Sequence, residues 1–273
     1  MKPIKKDFKR IFIKKGACSH TLFYILNREF DHLKEAEECA SDPLAGGLVQ
    51  TGHQCGMLWG ATLAVGAESF RRHENRDLAI GVAIKATQHL LESFEKRAKS
   101  ANCRDITGCN FNSILGLAKA FLLGRFFRCF SLVDKWAPEA IQAAYEGLSL
   151  EQTDLPPLPI SCASEVAKKM GASDEEMVMV AGFAGGIGLS GNGCGALAAA
   201  VWMTILQLVR KENWKYSLSD PVTTGILKKF YEATNCEMEC HKICGQTFKT
   251  IGDHTEFIKN GGCDTLINSL AQS

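Results

Sequence analysis

The chain has no surplus of charge of either sign. Its 31 Lys and Arg offset 30 Asp and Glu, leaving a formal net charge of +1. No general attraction to nucleic acid or to an anionic bilayer is therefore expected. It also lacks a long unbroken apolar run. Met177 to Val209 is free of Asp, Glu, Lys and Arg and is long enough to span a bilayer. Gly185-Gly186, Gly188 and Gly191-Asn192-Gly193 interrupt it, however, so a helix buried in protein is expected rather than a membrane span. The basic opening, MKPIKKDFKRIFIKK, has neither the apolar core nor the small-residue cleavage site of a secretory signal. It reads as a solvated arm, and the protein as cytoplasmic. Few segments alternate in the manner of strands. No Cys-x-x-Cys occurs, so neither a thioredoxin active site nor a zinc ribbon is supported.

What the chain does have is cysteine: 12 in 273 residues. In a reducing compartment structural disulfides are disfavoured, which gives weight to metal binding or thiol redox chemistry. The plainer alternative is that several cysteines are small buried hydrophobes. Seven prolines and 25 glycines punctuate the rest.

The glycines expose an internal repeat. Leu44 to Thr62, LAGGLVQTGHQCGMLWGAT, lies without a gap on Phe183 to Val201, FAGGIGLSGNGCGALAAAV. Ala45, Gly46, Gly47, Gly52, Cys55, Gly56, Leu58 and Ala61 all recur. Each copy is a glycine-rich turn, where positive φ and close backbone approach are allowed, followed by an apolar run that looks helical. Cys55 and Cys194 then fall at helix starts. There the unpaired N–H groups and the dipole favour an anion, so these two thiolates are expected to be the most stabilised.

A pass along the chain gives helices at Ser19 to Phe30, Cys55 to Phe70, Asp77 to Lys99 and Asn112 to Lys135, with Pro138 starting a short one to Gly147. Leu155-Pro156-Pro157-Leu158-Pro159 reads as a stiff linker. Beyond it, helices are expected after Ser161-Cys162, over Cys194 to Lys211 and Pro221 to Thr234, and after Gly261-Gly262-Cys263. The expected fold class is all-α: two homologous helical-bundle halves, residues 1–150 and 151–273, as a tandem repeat.

The repeat also aligns cysteines. Cys18 pairs with Cys162, each at a helix start, and Cys55 with Cys194. CRDITGCNF from Cys103 lies on CHKICGQTF from Cys240, and CFSLVDKWA from Cys129 on CDTLINSLA from Cys263. Two quartets result: Cys18, Cys55, Cys103, Cys129 and Cys162, Cys194, Cys240, Cys263. Cys39, Cys109, Cys236 and Cys244 have no counterpart; Cys39 and Cys109 are expected to be dispensable. Cys129 looks mid-helix, unlike the others. Converging helix starts would surround a shared thiolate site and suit either an anionic iron–sulfur cluster or an activated dithiol.

Around these residues the chain resembles the C_GCAxxG_C_C family of redox-active proteins, whose members have about half this length and four characteristic cysteines. The first matches Cys18 and Cys162, and the motif cysteine matches Cys55 and Cys194. The third matches Cys103 and Cys240, and the fourth Cys129 and Cys263. The resemblance covers nearly the whole chain as a tandem pair. It departs at Met57, where the motif has Ala, and at Ala199, where it has Gly. It implies redox activity. A related module occurs in split-Soret cytochromes, where haem and an iron–sulfur centre are found; function is still to be argued from the site.

Weaker signals compete. Gly186-Ile187-Gly188-Leu189-Ser190-Gly191 spells a dinucleotide fingerprint, but it needs a strand before it and a βαβ unit around it. Cys236-Glu237-Met238-Glu239-Cys240-His241 is one residue longer than a haem-attachment signature. At helical spacing Cys236, Cys240 and Cys244 share one stripe and could be extra ligands, or bystanders. His53, His20 and Glu165 lie near motif cysteines and could tune or bind there, but each reads more readily as a surface or cap residue. The leading expectation is one-electron transfer through iron–sulfur clusters held by the two quartets, with no identifiable substrate site. The alternatives are metal-free thiol–disulfide exchange and a structural or partner-binding protein with buried cysteines. The expected partner is a redox protein, with a second copy of the chain as a further candidate.

Overall fold

In both copies of the repeat the glycine stretch winds the wrong way for an L-peptide. The computed structural model describes residues 4–109, 111, 122, 124–149, 155–212, 214, 215, 217 and 220–272. Within these, Gly46, Gly47, Leu48, Val49 and Gln50 all have positive φ, as do Gly185, Gly186, Ile187, Gly188 and Leu189. A left-handed turn costs roughly 1–2 kcal/mol for each residue that carries a Cβ, so it needs outside support. Support comes from equivalent backbone bonds. Gly52 and His53 N–H donate to Gly46 and Gly47 carbonyls at 3.0 and 3.1 Å, and Gly191 N–H donates to Gly185 at 2.9 Å. Thr51 Oγ1 donates to Gly47 O, and Ser190 Oγ donates to Gly186 O. At Gly47 and Gly186 no side chain fits. A Cβ would stand 2.5 Å from His53 N in one copy and 2.7 Å from Asn192 N in the other.

Most of the other described residues are helical. The first half holds α1 (Phe8–Lys15), α2 (Cys18–Glu29), α3 (Glu35–Ala40), α4 (Gly56–Arg72), α5 (Arg76–Ala98), α6 (Cys103–Thr107) and α7 (Phe126–Leu148). The second holds α8 (Cys162–Lys169), α9 (Asp174–Met179), α10 (Gly195–Glu212), α11 (Pro221–Thr234), α12 (Cys240–Cys244), α13 (Ile251–Lys259) and α14 (Asp264–Ala271). Local chemistry sets many of the ends. Asn75 caps α5 by accepting from Leu78 N–H, and Ser173 with Glu176 forms a capping box on α9. Asp220 accepts from Thr223 N–H, with Pro221 at the first position of α11. Among the described residues there is no strand, only two isolated bridges, Gln54 with Asn102 and Gly193 with Glu239. The glycine run at 186–191 therefore follows a helix and a 3₁₀ turn, and the strand that the dinucleotide reading requires is not there. No helix among the described residues is long and apolar enough to cross a membrane.

The two halves embrace. In the first, α4 packs between α2 and α5, and α5 packs on α7. In the second, α10 packs on α8, α11 and α14. The short helix before each glycine turn then crosses to the other half: α3 lies on α10 and α9 lies on α4. Trp202 Nε1 donates to Glu37 O at 3.1 Å across one contact. In the other, the bare face of Gly66 meets the Met179 backbone, where a Cβ would clash at 2.5 Å. Trp59 sets its ring edge-on to Phe183 at 4.8 Å between centroids, and one apolar core runs through both halves.

Three expectations about the first half are corrected. The basic opening is not a solvated arm, since most of it forms α1, with Phe8, Ile11 and Phe12 buried. The helix expected over 112–135 lies partly outside the described residues; the described part begins at Phe126, after Gly124 at φ 61°. It does not end before Pro138 but runs through it to Leu148. A proline inside a helix forfeits one hydrogen bond. Here Trp136, Ala137, Ala140, Ile141 and Ala144 are all buried around it, and that packing outweighs the lost bond. In the second half the stretch expected as a stiff linker lies outside the helices. Leu155 and Pro159 side chains lie against Gly81 of α5, where a Cβ would come within 2.9 and 3.2 Å of them.

Candidate cysteine site

In each half three backbone hydrogen bonds draw the motif cysteine to the third one. Cys55 N–H donates to Ala101 O at 2.8 Å, Cys103 N–H to His53 O at 2.6 Å, and Arg104 N–H to Gly52 O at 2.9 Å. The second half repeats this with Cys194 to Met238 O at 3.0 Å, Cys240 to Asn192 O at 2.6 Å, and His241 to Gly191 O at 2.9 Å. His53 and Asn192, equivalent in the repeat, thus contribute carbonyls rather than side chains. Cys18 reaches the same place by packing on Gly56, whose Cβ, if it had one, would lie 2.6 Å from Cys18 Sγ.

Seven of the eight quartet cysteines stand at helix N-termini, and the eighth lies one turn in. Cys18, Cys103, Cys162 and Cys240 are first residues of α2, α6, α8 and α12. Cys55 and Cys263 are the residues just before α4 and α14, and Cys194 just precedes α10. Cys129, expected mid-helix, is the fourth residue of α7. In the second half Cys162, Cys194, Cys240 and Cys263 line one enclosed cavity of about 10 Å³, room for a single water, together with Cys244 and His254. Cys244 Sγ lies 3.7 Å from Cys240 Sγ and 3.5 Å from Cys263 Sγ. In the first half Cys18, Cys103 and Cys129 all act electrostatically on Cys55, and Cys109 acts on Cys103 and Cys129.

A fifth thiol thus joins each quartet, and the repeat alignment missed both. Cys244 sits just before Gly245, the left-handed end of α12, and Cys109 just after Gly108, the left-handed end of α6. They occupy different positions of the repeat, so only space, not sequence offset, reveals them as related. Cys236 does not join: it is exposed, and the gap between α11 and α12 breaks the supposed helical stripe. Cys39 is half-buried on α3, with its thiol pushed up by burial and by Asp42.

The expectation that Cys55 and Cys194 are the stabilised thiolates is overturned. Burial pushes Cys194 up to about 12. Cys55 is raised because its S–H donates to Cys18, and by burial. The thiol whose ionisation is favoured is Cys18. It accepts from Cys55 and from the N–H groups of Gly46 and Ser19, and these outweigh its burial. The second half has no such thiol. Burial and neighbouring thiols raise Cys162, and Cys240 stays raised although its contact with the Cys244 thiol works the other way. Desolvation of a thiolate beats the helix dipole wherever no S–H donor is in reach. Of the neighbouring residues, His20 is buried and bonded through Nδ1 to Asp42 at 3.0 Å, and Glu165 is half-buried on α8. His254 is buried, its Nδ1 3.0 Å from Ile160 O, and burial lowers it to about 4.

The donor set fits an iron–sulfur cluster in its chemistry, but the cavity of about 10 Å³ would have to widen to take one. Thiolates are the ligands such clusters take, no carboxylate lines the second cavity, and the surrounding helix starts favour an anion. Among the described residues no group of three or more His, Cys, Asp or Glu side chains is arranged to hold a single metal ion.

Fold and site define a class: a duplicated all-α protein with one buried cysteine group per half. The family described as "Putative redox-active protein (C_GCAxxG_C_C)" matches residues 17–140 and again 161–273. The chain belongs to that family, as a tandem duplication. No curated protein and no solved structure matches it.

Proposed function

We propose that the two cysteine groups are redox centres, each holding an iron–sulfur cluster for one-electron transfer to a partner protein in a reducing, cytoplasmic setting. The observation that carries this reading is the meeting of five thiols in one enclosed, carboxylate-free cavity ringed by helix starts. Cys18, Cys55, Cys103 and Cys129 would hold the first cluster, and Cys162, Cys194, Cys240 and Cys263 the second. When bound, such a cluster supplies a reversible one-electron couple. The protein's own part is to desolvate the thiolates, to present helix N-termini to the negative charge, and to keep water out. Anaerobic purification with iron, zinc and acid-labile sulfide analysis tests this. Iron and sulfide in equal amounts, lost selectively on Cys55→Ser or Cys194→Ser but kept on Cys39→Ser, are expected. A chain free of iron and sulfide would sink the reading.

One observation favours metal-free thiol–disulfide exchange as a second reading. The Cys18 and Cys55 thiols are hydrogen-bonded to each other, which lowers Cys18 and raises Cys55, so the first half holds an adjacent and unequal thiol pair, as dithiol exchange requires.

A further inference from the structure

The five thiols of the second site are not equally placed. Cys162, Cys194 and Cys240 are buried, whereas Cys244 and Cys263 are partly exposed. These two are also in van der Waals contact, at 3.5 Å between sulfurs. Cys263 sits in a left-handed conformation just after Gly261 and Gly262, at the junction of α13 and α14. Cys244 is the last residue of the short helix α12. Both sulfurs therefore hang from helix ends beside glycines, where small backbone adjustments come easily. Cys240 is almost as near to Cys244, at 3.7 Å. It is held one turn away on the same helix, however, and its N–H is tied to Asn192 O.

We infer that Cys244 and Cys263 form a reversible disulfide, joining a thiol outside the quartets to one inside, that responds to small-molecule disulfides. Deprotonated Cys244 attacks one sulfur of the incoming disulfide and releases one thiolate. Cys263, giving up its proton, then attacks Cys244 Sγ and releases the second. Two protein thiols are oxidised, the small disulfide is reduced to two thiols, and both protons end on those leaving groups. Attack in the opposite order gives the same products. The disulfide withdraws Cys263 from its quartet, so oxidation would also govern what the second site can bind. The cross-link itself does not depend on a cluster.

The full chain is treated with oxidised glutathione, blocked with an alkylating agent, digested with trypsin and mapped by mass spectrometry. Trypsin separates the three sulfurs onto residues 230–242, 243–249 and 260–273. A link between 243–249 and 260–273 is expected, reversed by reduced glutathione, absent in Cys244→Ser and retained in Cys240→Ser. A dominant link from 230–242 to 243–249 would overturn the inference. So would glutathione adducts on Cys244 or Cys263 without a cross-link, or loss of the link in Cys240→Ser. Iron analysis of the same preparation separates this outcome from the fate of the cluster reading. A chain without iron that still forms the cross-link fails the latter and supports the former.

Discussion

His254 shows how one residue couples the cysteine cavity to pH. It is 1% exposed, stacked edge-on against Phe248 at 5.0 Å, with Nδ1–H donating to Ile160 O. Burial lowers its pKa from 6.5 to about 4, and the hydrogen bond recovers only part of the shift. The folded chain therefore refuses a proton that the unfolded chain accepts. The stabilisation is whole above the unfolded value and drains away as pH falls toward the folded one. At pH 5 the loss amounts to about 2 kcal/mol. Urea denaturation at pH 7 and pH 5 should show that much extra destabilisation in the parent chain and not in His254→Leu, which cannot titrate. Equal slopes in both would mean that His254 is not buried neutral. Nothing in the sequence marked this residue: it lies outside every repeat-aligned motif, and its role comes from packing. Cys18 carries the same lesson. The sequence places it at a helix start as well as it places Cys55. Which of the two ionises more easily depends on their mutual hydrogen bond and on the N–H groups of Gly46 and Ser19, a matter of side-chain geometry.

At the level of helices, the 139-residue offset of the repeat made most elements legible, because Cys-Gly, the glycine turn and the apolar run recur together. It failed where packing overrides local rules. Pro138 reads as a helix start, yet it sits inside α7 because buried neighbours on both sides hold that helix on. The motif's last glycine gives a sharper case. Gly60 of α4 faces the backbone of α2, and a Cβ there would lie 1.9 Å from Ser19 O. Backbone cannot swing aside as a side-chain tip can, so Gly60→Ala must part the two helices. Overpacking of this kind costs about 1–3 kcal/mol, while alanine returns at most about 1 kcal/mol of helix propensity. A net loss of about 1–2 kcal/mol is expected by chemical denaturation. Because α2 begins at Cys18, faster or slower alkylation of that thiol should accompany it. The second half has already made the exchange: Ala199 stands there, buried, and its partner helix α8 is 8 residues long against 12 in α2. An unchanged stability for Gly60→Ala would mean that α2 and α4 do not approach as closely as described.

Across the whole molecule the two cysteine turns face one another, and a single side chain joins them. Gln54, the residue before Cys55, is 1% exposed. Its Oε1 accepts from Gly193 N–H at 2.7 Å, the residue before Cys194, and its Nε2 donates to Asn102 Oδ1 at 3.1 Å. Gly193 has no room for a side chain there, since a Cβ would stand 2.1 Å from Gln54 Oε1. The repeat alignment sets Gln54 against Gly193 as a mismatch between copies. In space the mismatch is complementary, because a glutamine in one half needs a glycine in the other. Gln54→Leu keeps the volume but leaves the Gly193 N–H buried without an acceptor, at a cost of about 1–3 kcal/mol. Because α3 on α10 and α9 on α4 also tie the halves together, the protein should still fold. The expected result is a lower denaturation midpoint, with the amides around Gly193 and Cys194 exchanging hydrogen faster while those in the middle of α5 and α7 hardly change. The alkylation rate of Cys194 should rise in the same variant, although the substitution lies in the other half. If exchange at Gly193 stays slow and Cys194 keeps its reactivity, the two sites are not joined through Gln54, and each half shields its own cysteines.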